Sequence, residues 1–396
     1  MTRERFALSV PDLGPFFDER HTKLAAFLQT GHVEILKDVH DSARVAALMG
    51  DPLELYAYVV PEAYGGAASG RPQDVSFIDV RSLVLIRETL GQVSPLGDAI
   101  FAVQGLGAYP IVLGGSQDLI GDVLPAVVRG KHIGAFALTE PEAGSDVSSI
   151  QTLAKRDGDS WILDGEKTFI SNVGIADHYV VFANADPTLG RKGITAFYVP
   201  KDTPGLTLEP LPMSIPHPIG RVRLAGCRVP HSFMIGHLGA GFRIAMETLD
   251  AFRISVGAAA NGMAARALQA SIDHVKRRRQ FGAPLAQQQM VQAYLAEMAT
   301  ELDASRLLVA RAAHLRDTRG ERVTAQAAMA KMYATESAQT IIDKAVQLHG
   351  GLGVLEGSEV EKLYREIRPL RIYEGTTEIQ KLVISRALLS DEKRSS

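Results

Sequence analysis

Three segments of the chain gather residue types that bind or react. Phe136-Ala-Leu-Thr-Glu-Pro-Glu-Ala-Gly-Ser-Asp146 is an apolar run that ends in hydroxyls, a proline turn and a small-residue loop. Backbone N–H groups around Ala143-Gly144-Ser145 could approach a ligand closely, since Gly144 has no side chain to block it. By composition alone a polar turn leaving a strand is the better reading. Lys276-Arg-Arg-Arg-Gln-Phe-Gly282 closes a helical stretch. Cations there suit the negative end of a helix dipole, and a guanidinium fork could equally recognise a phosphate or pyrophosphate. In Arg371-Ile-Tyr-Glu-Gly-Thr-Thr-Glu-Ile-Gln380, Thr377 with Gln380 fits a capping box, and Ile379, Leu382 and Val383 supply the apolar face of the helix it would open. Glu374 and Gly375 then sit just before a helix amino terminus. The carboxylate there either favours the dipole or is held as a general base, and local pattern does not choose between them.

Other chemistry is excluded cheaply. No Gly-x-Gly-x-x-Gly follows a predicted strand, and Gly165-Glu-Lys-Thr lacks the Gly-Lys-Ser/Thr pair of a phosphate loop. Gly66-Ala-Ala-Ser-Gly70 places its serine one residue too late for a nucleophile elbow. The 11 histidines form no His-Glu-x-x-His pattern, and the single Cys227 excludes an intrachain disulfide or a two-thiolate metal site. No metal site is expected. With 42 Lys plus Arg against 45 Asp plus Glu in 396 residues, the net charge of −3 argues against nucleic-acid binding. A 46% hydrophobic, 22% charged composition is that of a globular chain of two or three domains. The amino terminus has no apolar leader-like run, and no segment is expected to be apolar for long enough to span a bilayer, so a soluble, cytoplasmic protein without membrane insertion is expected.

The elements that must position these segments change character along the chain. Up to about Gly130 the pattern is helical, as in the amphipathic Arg81-Ser-Leu-Val-Leu-Ile-Arg-Glu-Thr-Leu90. From about Trp161, short β-branched and aromatic runs (Trp161 to Gly165, His178 to Ala183, Gly193 to Val199, Arg221 to Leu224) alternate with turns and predict an antiparallel sheet or small barrel. After Gly241 long helices return. Val291, Leu295, Met298 and Leu302 form one stripe; Ala327, Ala330, Ala334, Ala338 and Ile341 form a second, whose small residues permit close helix approach. Breaks near Gly282 and Gly320 suggest an antiparallel bundle.

Taken together, Val60-Pro-Glu-Ala-Tyr-Gly-Gly66, Thr139-Glu-Pro-Glu-Ala-Gly-Ser-Asp146, Lys167-Thr-Phe-Ile-Ser-Asn172, Arg278-Arg-Gln-Phe-Gly282, Gln347-Leu-His-Gly-Gly-Leu-Gly353 and Tyr373-Glu-Gly-Thr376 resemble, in order and spacing, the acyl-CoA dehydrogenase family of flavoproteins. The resemblance implies an α+β fold: an N-terminal α-helical domain (1–134), a middle β-barrel-like domain (135–240) and a C-terminal four-helix bundle (241–396). It implies non-covalent FAD and a homo-oligomer, usually a tetramer. Phe136, Leu138, Thr139, Gly144 and Ser145, with Phe169 and Ser171, would lie along the flavin. Arg278 and Phe281 would reach the FAD of a neighbouring subunit, with Gln289, Gln347, Gly350 and Gly351 completing that contact, and Thr376 and Glu378 would meet the flavin from the helix start. Ser145, Asp250, Arg253 and Gly375 match positions that contact the CoA thioester.

Glu374 matches the family's catalytic base. The implied reaction is α,β-dehydrogenation of an acyl-CoA to the trans-2-enoyl-CoA: Glu374 removes the α-proton while the β-hydrogen leaves as hydride to flavin N5, and the electrons pass to an electron-transfer flavoprotein. Burial against flavin and acyl chain, and hydrogen bonds to the thioester carbonyl, would narrow the gap between a weak base and a weak acid. Some members carry the base near Asp250-Ala-Phe-Arg253, but Phe252 there cannot act as one. The chain departs from the family in Phe169 and Ser171, where tryptophan and threonine are common, in the proline-rich Pro212-Met-Ser-Ile-Pro-His-Pro-Ile-Gly220, and over roughly the first 55 residues. The alternatives are a same-fold enzyme acting on a carrier-protein-bound acyl group, an oxygen-using acyl-CoA oxidase, and a flavin-free scaffold or binding protein.

Overall fold

The computed structural model describes Phe6 and residues 8–71, 74–319 and 323–390; the expected break at Gly320 lies outside the described residues. Its helices are α1 (Glu19–Leu28), α2 (Ser42–Gly50), α3 (Val80–Val93), α4 (Pro95–Gly114), α5 (Gln117–Val128), α6 (Gly241–Arg277), α7 (Gln289–Arg319), α8 (Thr324–His349), α9 (Glu359–Glu366) and α10 (Thr377–Leu389). The strands are β1 (Gly134–Ala137), β2 (Leu153–Asp157), β3 (Ser160–Ser171), β4 (His178–Asn184), β5 (Ile194–Pro200), β6 (Leu206–Pro210), β7 (Ile219–Pro230) and β8 (Met234–Ile235), followed by the short pair β9 (Arg279–Gln280) and β10 (Ala283–Pro284). The chain divides into two compact units, one of Met1–Gly31, Val80–Pro95 and Arg253–Ser396, the other of His32–Asp79 and Leu96–Phe252.

The first unit is helical. Both predicted stripes face its core: Met298 and Leu302 are buried, Val291 and Leu295 pack against the same cluster, and Ala327, Ala330, Ala334, Ala338 and Ile341 are all buried. A third seam lies where the sequence shows only a mixture of small residues. A Cβ on Gly91 of α3 would lie 2.3 Å from the Ala259 carbonyl of α6, and one on Gly262 would lie 2.0 Å from the Glu88 carbonyl. Only glycine permits that approach of α3 to α6. The buried carboxylate of Asp317 on α7 accepts the backbone N–H groups of Val80 and Arg81 at 3.1 and 3.0 Å and the Arg81 Nε at 3.1 Å, which satisfies donors at the start of α3.

The second unit is built on a sheet ordered β6-β7-β3-β2-β4-β5-β8, with β1 beside β4. The expected antiparallel pattern holds for most pairs, but β1 runs parallel to β4, and β2 meets β4 in parallel at Leu153↔Asn184. β4 is buried throughout and β5 nearly so, as their unbroken apolar runs dictate, while β3 alternates. Trp161, Leu163, Tyr179, Val181, Phe197 and Val222 form the core. One expectation needs correction: α4 is long and apolar enough to cross a bilayer by composition. Within the protein, 89% of its apolar window is buried, which makes it a core helix. Its Gln104 amide donates to His132 O and accepts from the Gly134 N–H, both at 2.7 Å, and so fixes the start of β1 and the segment that β1 feeds.

Candidate functional site

In the sheet unit, β1 delivers Phe136 against the Phe182 ring, 4.9 Å away, and Leu138 into the interior. The chain then turns: Glu140 and Ala143 exchange backbone hydrogen bonds of 3.0 and 3.2 Å, and Gly144 and Ser145 emerge exposed. A Cβ on Gly144 would meet nothing within 4 Å, so the loop borders open space. Thr139 O accepts the Thr168 N–H at 2.9 Å, which locks the segment to β3.

At that point β3 slips register against β7, between Lys167↔Val222 and Ile170↔Gly220. The extra residue is a bulge, and it re-aims the side chains. Phe169 takes a left-handed φ of 55° and stands 66% exposed. Ser171 resumes pairing, opposite Ile219.

Beneath this surface lies an ion pair. Lys167 Nζ is 2.6 Å from Glu140 Oε1 and donates to Leu138 O at 3.1 Å; both side chains are buried. Glu140 also accepts the N–H groups of Gln151 and Thr152. Burial pushes the Lys167 ammonium down to about 8 against the opposing pull of Glu140. Burial pushes the Glu140 carboxyl up, but Lys167 and the N–H donors more than offset it and hold the group below its ordinary value.

In the helical unit, Glu374 and Gly375 both adopt left-handed backbone, with φ of 52° and 89°. A non-glycine residue there is strained, and strain of this kind collects at working sites. Three side chains hold the turn by its carbonyls. Arg253 Nε reaches Glu374 O at 3.3 Å, Gln380 Nε2 reaches Glu374 O at 3.2 Å and Gly375 O at 2.9 Å, and Lys331 Nζ donates to Gly375 O at 2.8 Å. Burial pushes Lys331 down to about 8, with Glu374 acting against that shift. The helix cap lies one residue before its expected position: Thr376, not Thr377, accepts the Ile379 N–H, at 3.3 Å. Thr377 is buried and donates to Glu336 Oε1 at 2.5 Å, and Glu336 also holds Arg371. Glu378 is exposed in the first turn of α10, where the helix start and Thr376 hold its carboxyl below the usual range.

Since Gln380 keeps part of the clamp, Lys331→Met is expected to cost about 1–3 kcal/mol, the range for one buried hydrogen bond from a charged donor. A thermal melt unchanged from that of the parent protein would contradict the clamp.

The other residues named from the C-terminal part of the sequence, Asp250 of the second unit apart, stand elsewhere in the same unit. Arg278 and Phe281 lie at the β9–β10 turn; Phe281 has φ 53° and is 92% exposed. His274 near the end of α6 stacks on His349 at 4.3 Å, which sets the end of α6, just before Arg278, beside the end of α8, which carries Gln347 and precedes Gly350 and Gly351; Gln289 opens α7, exposed. Lys331 and Gln347 are 16 residues apart on α8, ~24 Å at the helical rise, so this group and the Glu374 turn do not meet within one chain. Asp250 is half-buried, three residues before the buried Arg253 on α6. Sequence reasoning missed Lys331, and it named Gln380 only for a capping box and not for its hold on the Glu374 and Gly375 carbonyls. The one available signal for Lys331 was a lysine set among the buried alanines of α8.

The chain matches the acyl-CoA dehydrogenase middle domain over residues 135–227 and the acyl-CoA dehydrogenase C-terminal domain over residues 239–389. It is 36% identical to the 3-(aryl)acrylate reductase of Clostridium sporogenes over 94% of this chain and all of that one. Among solved structures it resembles the butyryl-CoA dehydrogenase of Megasphaera elsdenii, with a TM-score of 0.87 and 33% identity over 94% of this chain and 99% of the other. It also resembles a glutaryl-CoA dehydrogenase of Mycobacterium smegmatis in complex with FADH2, with a TM-score of 0.83 and 27% identity over 97% and 98%. The fold and these likenesses define an oxidoreductase acting on a CH–CH bond. The chain belongs to the acyl-CoA dehydrogenase family, whose cofactor is FAD.

Proposed function

We propose that the protein catalyses FAD-dependent α,β-dehydrogenation of an acyl-CoA thioester, with Glu374 as the base for the α-proton and an electron-transfer flavoprotein as acceptor. The observation that carries this reading is the clamped left-handed turn at Glu374–Gly375, which spends three buried or half-buried donors on holding one carboxylate-bearing residue. The fit to FAD rests on the chain's own surface. Phe169 and Phe281 are aromatic rings held out at left-handed φ, and Gly144 and Ser145 border open space, as a planar ring system and its phosphates require.

FAD, when bound, supplies the hydride acceptor. The chain's residues do the rest. Phe136, Leu138, Thr139, Gly144, Ser145, Phe169 and Ser171 line the flavin; Ser145, Asp250, Arg253 and Gly375 bind the thioester. Thr376 and Glu378 meet the cofactor from the start of α10. Arg278, Phe281, Gln289, Gln347, Gly350 and Gly351 are assigned to the FAD of a neighbouring protomer in a homotetramer, which accounts for their distance from the Glu374 turn.

The test is an anaerobic titration of the purified holoprotein with short, medium, long, branched, aromatic and dicarboxylic acyl-CoAs, following the oxidised flavin absorbance. One class is expected to bleach it. A yellow protein that none bleaches moves the substrate to a carrier-protein thioester, and rapid peroxide formation in air moves the acceptor to oxygen. A protein that takes up no FAD overturns the reading. Arg278→Ala is expected to weaken FAD retention roughly tenfold or more, the scale of one charge-assisted hydrogen bond, and unchanged flavin occupancy would contradict its assignment.

A further inference from the structure

The proline-rich stretch in which this chain departs from its family brings a histidine to Ser171. Nε2 of His217 lies 2.7 Å from Ser171 Oγ. The placement is dictated by the sheet: Ser171 pairs with Ile219, the first residue of β7, so His217 stands two residues ahead of that pair. Pro216 and Pro218 flank it, which fixes φ on both sides and removes two backbone donors. Burial pushes the imidazole down to about 4, so near neutral pH it carries one N–H and one lone pair.

A serine hydroxyl otherwise rotates among three staggered positions. Against a neutral imidazole it either donates to Nε2 or accepts from Nε2–H. In both cases the direction left over for a further partner is set. Two residues away, the bulge holds Phe169 outward on the same strand.

We propose that His217 is a positioning residue that fixes the Ser171 hydroxyl toward the flavin, through a loop the family's usual sequence does not provide. The proposal rests on the reading above, in which Ser171 lines FAD. His217 itself takes no proton and touches no substrate. Its effect passes through one oxygen atom, and this gives the proposal a sharp test, because the effect must vanish when that oxygen is removed.

The experiment is a double-mutant cycle on the holoprotein with His217→Ala, Ser171→Ala and both together, read by the band shape of the bound oxidised flavin and by the rate of anaerobic bleaching. Each single change is expected to alter the band in the same way and to slow bleaching roughly tenfold, the scale of one lost hydrogen bond. The double variant is expected to be no slower than either single, and His217→Gln, which keeps a donor and an acceptor, to recover most of the rate. Losses that multiply in the double variant would show that His217 acts on the loop and not through Ser171, and would overturn the proposal. So would a His217→Ala protein with parental spectrum and rate. The band-shape cycle needs only bound FAD, so it decides the matter even where no acyl-CoA bleaches the flavin. If acyl-CoA bleaching and its loss in Glu374→Gln both stand while His217→Ala changes nothing, this inference alone falls. A chain that takes up no FAD overturns both.

Discussion

Glu374→Gln is expected to retain FAD and to lose about a thousandfold or more of the rate at which acyl-CoA bleaches the flavin, within the range that a positioned general base contributes. The substitution is nearly isosteric and removes only the ability to accept a proton at neutral pH. The turn should survive it, because its donors act on backbone: Arg253 and Gln380 on the carbonyl of residue 374, and Lys331 and Gln380 on that of Gly375. Thermal stability and flavin content therefore serve as controls in the same preparation. Stopped-flow bleaching under anaerobic conditions measures the loss. A variant that bleaches at the parental rate would remove Glu374 from the reaction, and Phe252, close to the alternative position that the resemblance implies for the base, has no group that could replace it.

What could be read from the sequence was what repeats locally. The stripes on α7 and α8 are periodic in 3.6 residues, and Met298, Leu302, Ala338 and Ile341 of the two stripes meet in one buried cluster. Glu374 and Gly375 were legible as the residues just before a helix start, where glycine tolerates positive φ at no steric cost, and the φ of Gly375 is 89°. The capping box slipped by one residue because two consecutive threonines offer the same chemistry. Tertiary context separates them, since Glu336 on α8 takes the Thr377 hydroxyl and leaves Thr376 to cap. Pairings distant in sequence left no local trace. Lys331 reaches Gly375 across 44 positions, Lys167 reaches Glu140 across 27, and His217 reaches Ser171 across 46. Lys167 and Glu140 both stood within recognisable motifs, yet nothing in either motif shows that each exists to neutralise the other. The bulge that turns Phe169 outward is equally silent, because it arises from the register of β3 against β7 and from no residue type.

That buried pair carries the largest expected effect on stability. Glu140→Gln removes the carboxylate and leaves the Lys167 ammonium, fully buried, with the Leu138 carbonyl as its named partner. Breaking one side of a buried pair costs about 3–5 kcal/mol, because an uncompensated charge remains. Lys167→Met should cost less, since Glu140 keeps the N–H groups of Gln151 and Thr152. Replacing both charges by methionine should likewise cost less than Glu140→Gln alone. The pH dependence separates this account from a simple packing defect. Lys167 titrates near 8 in the folded protein, below the ~10.4 of an unfolded lysine, so the unfolded chain binds the extra proton between those values and stability rises with pH across that window. In Glu140→Gln the partner that raised Lys167 is gone, so the window opens at lower pH. The melting-temperature gap between variant and parent should therefore narrow from pH 7 to pH 9. A gap that is constant or widens would mean that the loss comes from shape and not from charge. On the acid side the parent alone loses stability as pH falls through the depressed Glu140 value, a leg the glutamine variant lacks. Because Lys167 also holds the Leu138 carbonyl in the segment assigned to the flavin, FAD retention should fall and recover together with the melting temperature as pH is raised.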